Sequence, residues 1–141
     1  MQKSTDILNN ELKEASDIRR FIKENEEELL SEKLSELLND ILKKKGMTKA
    51  EVIKKGDLTK SYTYELFKDK KKRPSRDKLI RFAIGAGLDL DETQTLLKHA
   101  KYAPLYARNK RDGVIIYAIN NKKSSVDCDI LLSETGEEPL E

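Results

Sequence analysis

The chain has 141 residues, enough for one domain or one domain plus an extension, with roughly two thirds of the unfolded surface buried. Its 28 basic and 26 acidic side chains leave a net charge of +2, a total that by itself argues weakly against a nucleic-acid partner. A lone cysteine, Cys128, excludes an internal disulfide and a cysteine-based zinc site, and no stretch approaches the ~20 apolar residues of a membrane helix or the core of a signal peptide, so a cytoplasmic, non-membrane chain is expected.

Residues 5–30 read as one amphipathic helix. Leu8, Ala15, Ile22 and Leu29 recur every seven residues, and Leu12 and Ile18 fill the stripe. Such a helix packs on its own domain or pairs with a second copy. A second helix is expected from Ser31, a suitable N-cap. Leu34, Leu37, Leu38, Ile41 and Leu42 form its apolar face, and it ends in Lys43-Lys44-Lys45 before Gly46.

Thr48 and Glu51 have the spacing of a capping box, so a short third helix starts at Thr48, points Val52 and Ile53 inward and closes at Gly56. After a turn at Asp57-Leu58, Thr59 caps a fourth helix over about 60–68. The run Lys70-Lys71-Lys72-Arg73-Pro74 ends it, by charge repulsion and by the bias of Pro74 against helix at Arg73. Ser75 caps a fifth helix with Leu79, Ile80, Phe82, Ala83 and Ala86 as its buried stripe. Asp89 and Glu92 resemble another capping box, opening a helix through Leu96, Leu97 and Ala100.

Residues 102–106 look like a link. The run 113–119 is rich in β-branched residues and fits strand or helix. Nothing nearby offers a sheet for it to join, so a helix over about 108–121 is expected. Ser124 or Ser125 caps a last helix to about Ser133, and the tail from Gly136 is expected to be loose. Six glycines, three prolines and no tryptophan argue against a turn-rich β domain. The expected class is all-α.

The charge is unevenly spread. Residues 1–42 carry net −5, residues 43–81 carry net +10 from 15 basic and 5 acidic side chains, and residues 82–141 carry net −3. A basic block of this size is either a solvated face or a footprint for phosphates. It coincides with residues 48–68, whose two short helices and tight turn suit a helix-turn-helix, a unit that lays its second helix in the DNA major groove. Lys60, Ser61, Tyr62 and Glu65 point outward if Leu58, Thr63 and Leu66 point inward.

This stretch resembles the phage-repressor/Cro-like (Xre) helix-turn-helix regulators. Thr48-Lys-Ala-Glu51-Val52-Ile53 matches the first part of the family pattern. Leu58-Thr59-Lys-Ser-Tyr-Thr63-Tyr64-Glu-Leu66-Phe67, followed by Pro74-Ser75, matches the second. Leu79 to Asp89 looks like the following helix and its hinge, so the resemblance covers about residues 33–100. Lys49 stands where the family usually has Gln, Tyr64 where it has Ser, Phe67 where it has Glu and Asp69 where it has Gly.

The resemblance implies a lambda-repressor-like core of about five helices over 31–101. Added to it are an N-terminal helix over 1–30, for packing or dimerisation, and a helical extension over 102–141. It also implies a sequence-specific transcriptional regulator that binds double-stranded DNA as a homodimer, with Lys49, Thr59, Lys60, Ser61, Tyr62 and Glu65 at the DNA face and Lys70, Lys71, Lys72, Arg73 and Arg76 on phosphates. The alternative on the same fold is an antitoxin-like or other protein-interaction module working through its N- or C-terminal helices.

No enzyme, metal or cofactor is expected. Cys128 and His99 lack a third group at a catalytic spacing, Gly85-Ala-Gly87 lacks the rest of a dinucleotide loop, and Asp89 and Asp91 lack the rest of a calcium loop. Arg108, Arg111 and Asp112 are expected to form a salt bridge between the C-terminal helices.

Overall fold

The computed structural model describes residues 4–25, 33–68 and 73–141. All regular structure among these residues is helical, in nine helices. The chain divides into two units, Met1–Ser31 and Glu32–Glu141. No helix among the described residues is long and apolar enough to cross a membrane.

The first unit corrects the expected single helix. α1 spans Thr5–Glu14, capped by the Ser4 hydroxyl, and α2 spans Ile18–Glu24. Between them the backbone is extended at Ala15 and Asp17, and the Asp17 carboxylate accepts the Arg19 N–H at 3.0 Å. Asp17 competes for its own backbone as a cap, which breaks the apolar stripe in two. Ile7, Leu12, Ile18 and Ile22 are exposed and Phe21 is buried. Leu29 and Ser31 lie outside the described residues.

The second unit begins with α3, Leu34–Lys45, whose cap position is held by Lys33 without a side-chain bond. Gly46 ends it in the left-handed region at φ 64°. α4 is Lys49–Gly56 and α5 is Lys60–Leu66. α6 is Arg76–Gly85 and α7 is Leu90–His99. α8 is Lys110–Asn120 and α9 is Ser125–Glu134. The caps at Thr48, Thr59, Ser75, Asp89 and Ser124 all accept backbone N–H groups as their spacing predicts, and Thr48–Glu51 and Asp89–Glu92 close full capping boxes.

α6 is the axis of this unit, with every residue from Leu79 to Gly85 buried. One apolar cluster joins Leu38, Leu42, Val52, Leu58 and Leu66 to Phe82 and Leu96. The other joins Leu79, Ile80 and Ile84 to Leu97, Ile115, Cys128 and Leu132, so α8 and α9 share a core with α6 and α7. Each large apolar side chain buried this way contributes about 1.5–3 kcal/mol before entropy is charged against it.

α4 crosses α6 almost backbone to backbone. A Cβ on Gly56 would stand 2.6 Å from the Arg81 carbonyl oxygen, and one on Gly85 would stand 2.6 Å from that of Val52. Gly56 is therefore required by this close approach, while the positive φ that ends α4 falls on Asp57, at 54°.

The tail is fixed, which corrects the expectation of a loose end. Leu140 is buried and its N–H donates to Asp129 Oδ1 at 2.8 Å. Arg81 donates to the Leu140 carbonyl at 2.7 Å, the Glu141 carbonyl at 2.9 Å and Asp129 Oδ2 at 2.8 Å. Its other side reaches the Gly56 carbonyl at 3.5 Å and the Asp57 carboxylate at 3.7 Å. A buried guanidinium needs this many acceptors to offset its lost hydration.

Candidate nucleic-acid interface

Local chemistry sets up α4 and α5. The Thr48 hydroxyl accepts the Glu51 N–H at 3.2 Å, and Glu51 accepts the Thr48 N–H at 3.1 Å. After Asp57, the Leu58 N–H returns to the Ile53 carbonyl at 3.0 Å, closing the turn. The Thr59 hydroxyl then accepts the Tyr62 N–H at 3.1 Å, and the buried Thr63 hydroxyl donates to the Thr59 carbonyl at 2.9 Å.

These contacts fix the phase of α5. Leu58, Thr63 and Leu66 are buried, while Lys60, Ser61, Tyr64, Glu65 and Lys68 are exposed. At i, i+1, i+4 and i+5 the first four form one outer ridge, and Lys68 follows in the turn after the helix.

Tyr62 departs from the outward expectation. It is half-buried, and the Lys78 ammonium lies 5.3 Å from its ring centre. Burial pushes its phenol up from the usual value, and a hydrogen bond from the Ser75 backbone opposes the shift.

Tyr64 is the aromatic that stands open, at 42% exposure. Lys49, in the first turn of α4, holds its ammonium 4.4 Å from the Phe67 ring centre and 5.2 Å from that of Tyr64. Lys43 and Lys49 also line an open hollow with Asn39, Asp40, Leu42 and Met47. Pattern reading set Tyr62 and Glu65 outward on either side of Tyr64 and gave Tyr64 no place at the face. The phase of α5, with Thr63 turned inward, is the signal that selects it.

The expected phosphate contacts separate. Lys70, Lys71 and Lys72 lie outside the described residues. Arg73 stacks on Tyr102, 4.1 Å from its ring centre, and donates to the Ala100 carbonyl at 3.2 Å. Arg76 is a fork on Asp112, with bonds of 3.1 and 3.0 Å, and also donates to the carbonyls of Ala103 and Pro104. These bonds commit Arg76 to the fold.

Asp112 is thus partnered across α6–α8, and Arg111 likewise grips Asp77 of α6 at 2.9 and 3.1 Å. The expected bridge between the C-terminal helices is replaced by two bridges to α6, made where both helices pack on the second cluster. Burial works to raise the Asp77 carboxyl, but bonds from Arg111 and from the Glu141 N–H outweigh it and hold the group below its ordinary value.

No group of three or more His, Cys, Asp or Glu among the described residues is placed to hold a metal. Cys128 is fully buried, and that burial pushes its thiol up to about 11, so it is held as a neutral apolar group. No family model, curated protein or solved structure matches the chain.

Proposed function

We propose that the chain is a sequence-specific DNA-binding regulator of the helix-turn-helix kind, with a lambda-repressor-like core formed by α3–α7. α5 enters the major groove of double-stranded DNA. One observation carries this reading: α5 is a short helix, capped by Thr59 and buried along one side, whose outer ridge of Lys60, Ser61, Tyr64 and Glu65 is exposed, with Lys68 exposed in the turn that follows. A major groove is wide enough for one helix, and these side chains suit base edges and phosphates. Lys43 and Lys49 supply further positive charge beside it.

A two-fold dimer of the chain would present two such helices to half-sites about 34 Å apart. Selection from random duplex DNA, followed by binding across a salt series, tests the reading. The expected result is a two-fold symmetric consensus whose affinity falls steeply with salt, because bound phosphates release counterions. Failure to bind any duplex at low salt overturns it.

The competing reading is a protein-interaction module, favoured by Val126 and Ile130, exposed one turn apart on α9, and by the exposed Tyr117 of α8. Light scattering of the full chain with Val126→Ser and Ile130→Ser separates the roles. A changed mass with unchanged DNA consensus assigns this face to association.

A further inference from the structure

Of the side chains on the outer ridge, Tyr64 has the largest apolar surface, and a residue of another element braces it. Lys49 belongs to α4, yet its ammonium rests over the rings of both Tyr64 and Phe67. A cation shared between two ring faces restricts both its own motion and that of the tyrosine, so little rotamer entropy is left to lose when a ligand arrives. Phe67 is itself packed against Phe82 of the core, with ring centres 6.2 Å apart. The chain of contacts runs Phe82, Phe67, Lys49, Tyr64, from the buried axis of the unit to an open ring. Tyr62, the other tyrosine of α5, is turned toward Lys78 and half-buried, so it does not compete for this position.

Resting on the DNA reading above, we propose that Tyr64, braced by Lys49, is the specificity-determining side chain of α5 and selects the C5-methyl of a thymine in the major groove. The thymine methyl is the one apolar feature a base pair presents there, and an aromatic ring is a surface that gains by covering it. Lys49 adds a positive charge over one face of the same ring, leaving the other face for the methyl, and this charge would serve the phosphate beside that base. Specificity and charge are thereby carried by different residues of one cluster: Tyr64 distinguishes thymine from cytosine, and Lys49 adds affinity that is independent of base.

Deoxyuridine provides the test, because it pairs as thymine does and lacks only the methyl. Each thymine of the selected half-site is replaced in turn, and binding is measured with the unaltered chain, Tyr64→Phe, Tyr64→Ala and Lys49→Gln. Thermal melting of each variant confirms that the helices are retained. At one position uracil is expected to weaken the unaltered chain and Tyr64→Phe by about fourfold, the worth of one buried methyl. Tyr64→Ala is expected to bind uracil and thymine equally there. Lys49→Gln is expected to lower the slope of log affinity against log salt by about 0.9, the release from one phosphate.

If the unaltered chain selects a consensus but no thymine of it is sensitive to uracil, or if Tyr64→Ala keeps the sensitivity, this role of Tyr64 is overturned while the DNA reading stands. If the unaltered chain binds no duplex, both fall together.

Discussion

Arginine and lysine divide the positive charge of residues 43–81 between two regions of the second unit. The segment holds 12 lysines and three arginines. All three arginines, Arg73, Arg76 and Arg81, are bonded to carbonyls or carboxylates along α6 and its neighbours, and Arg111 does the same from α8. The lysines lie differently. Lys43, Lys44, Lys54, Lys60 and Lys68 are exposed, Lys45 pairs with Glu92 at 2.7 Å, and Lys49 and Lys78 rest on rings. A guanidinium is planar, weakly hydrated and forked, which suits several fixed acceptors at once. An ammonium is compact and strongly hydrated, and stays at the water boundary. A basic block in a sequence is therefore a poor measure of a footprint until its arginines are accounted for.

The comparison breaks most sharply at Arg81. Arg81→Met removes the donor to Asp129 Oδ2 and to two tail carbonyls in a nearly closed site, and a loss of about 3–5 kcal/mol is expected in urea denaturation. A loss below about 1 kcal/mol would show that the arginine side is no more structural than the lysine side. Next comes the Asp77–Arg111 pair. Folded Asp77 binds its proton less readily than the unfolded carboxyl, so its contribution is complete above the ordinary value of 3.8 and drains away as the pH falls through the lower folded value. Asp77→Asn is expected to destabilise the chain at pH 7 and to flatten its stability curve on the acid side of about pH 4; parallel acid-melting curves for the two proteins would contradict this. The smallest effect belongs to the open ridge. Lys60→Gln together with Lys68→Gln is expected to move stability by less than about 0.5 kcal/mol while lowering the salt slope of DNA binding by up to about 0.9 per lost phosphate contact.

What was legible in the sequence was local. Thr48, Thr59, Ser75, Asp89 and Ser124 each declare a helix start through a bond to the residue three positions on, and the helices follow. The buried stripe of α6 follows from period alone. What escaped were bonds closed over long separations. Nothing near Arg76 in sequence names Asp112, 36 residues on, and nothing near Arg81 names Leu140. The tail looked loose because its anchor lies on another helix. Asp17 was a different failure: it sits inside an apolar repeat that reads as continuous, and one carboxylate cap outweighed the stripe. In the candidate site the inward set of Leu58, Thr63 and Leu66 was legible, and the error lay in the tyrosines. Tyr62 is drawn half under by Lys78 of α6, a contact over 16 residues that local spacing does not name, and Tyr64 is left as the open ring.

The reciprocal glycines of α4 and α6 have a mechanical consequence. Each helix lacks a side chain where the other's carbonyl projects, at Gly56 against Arg81 and at Gly85 against Val52. The two fit as a key fits a keyway. A residue with a side chain brought to this crossing on either helix would drive its Cβ into the facing backbone oxygen. The register of α4 on α6 is thereby fixed, and with it the place of α5, which follows α4 through the turn at Asp57-Leu58.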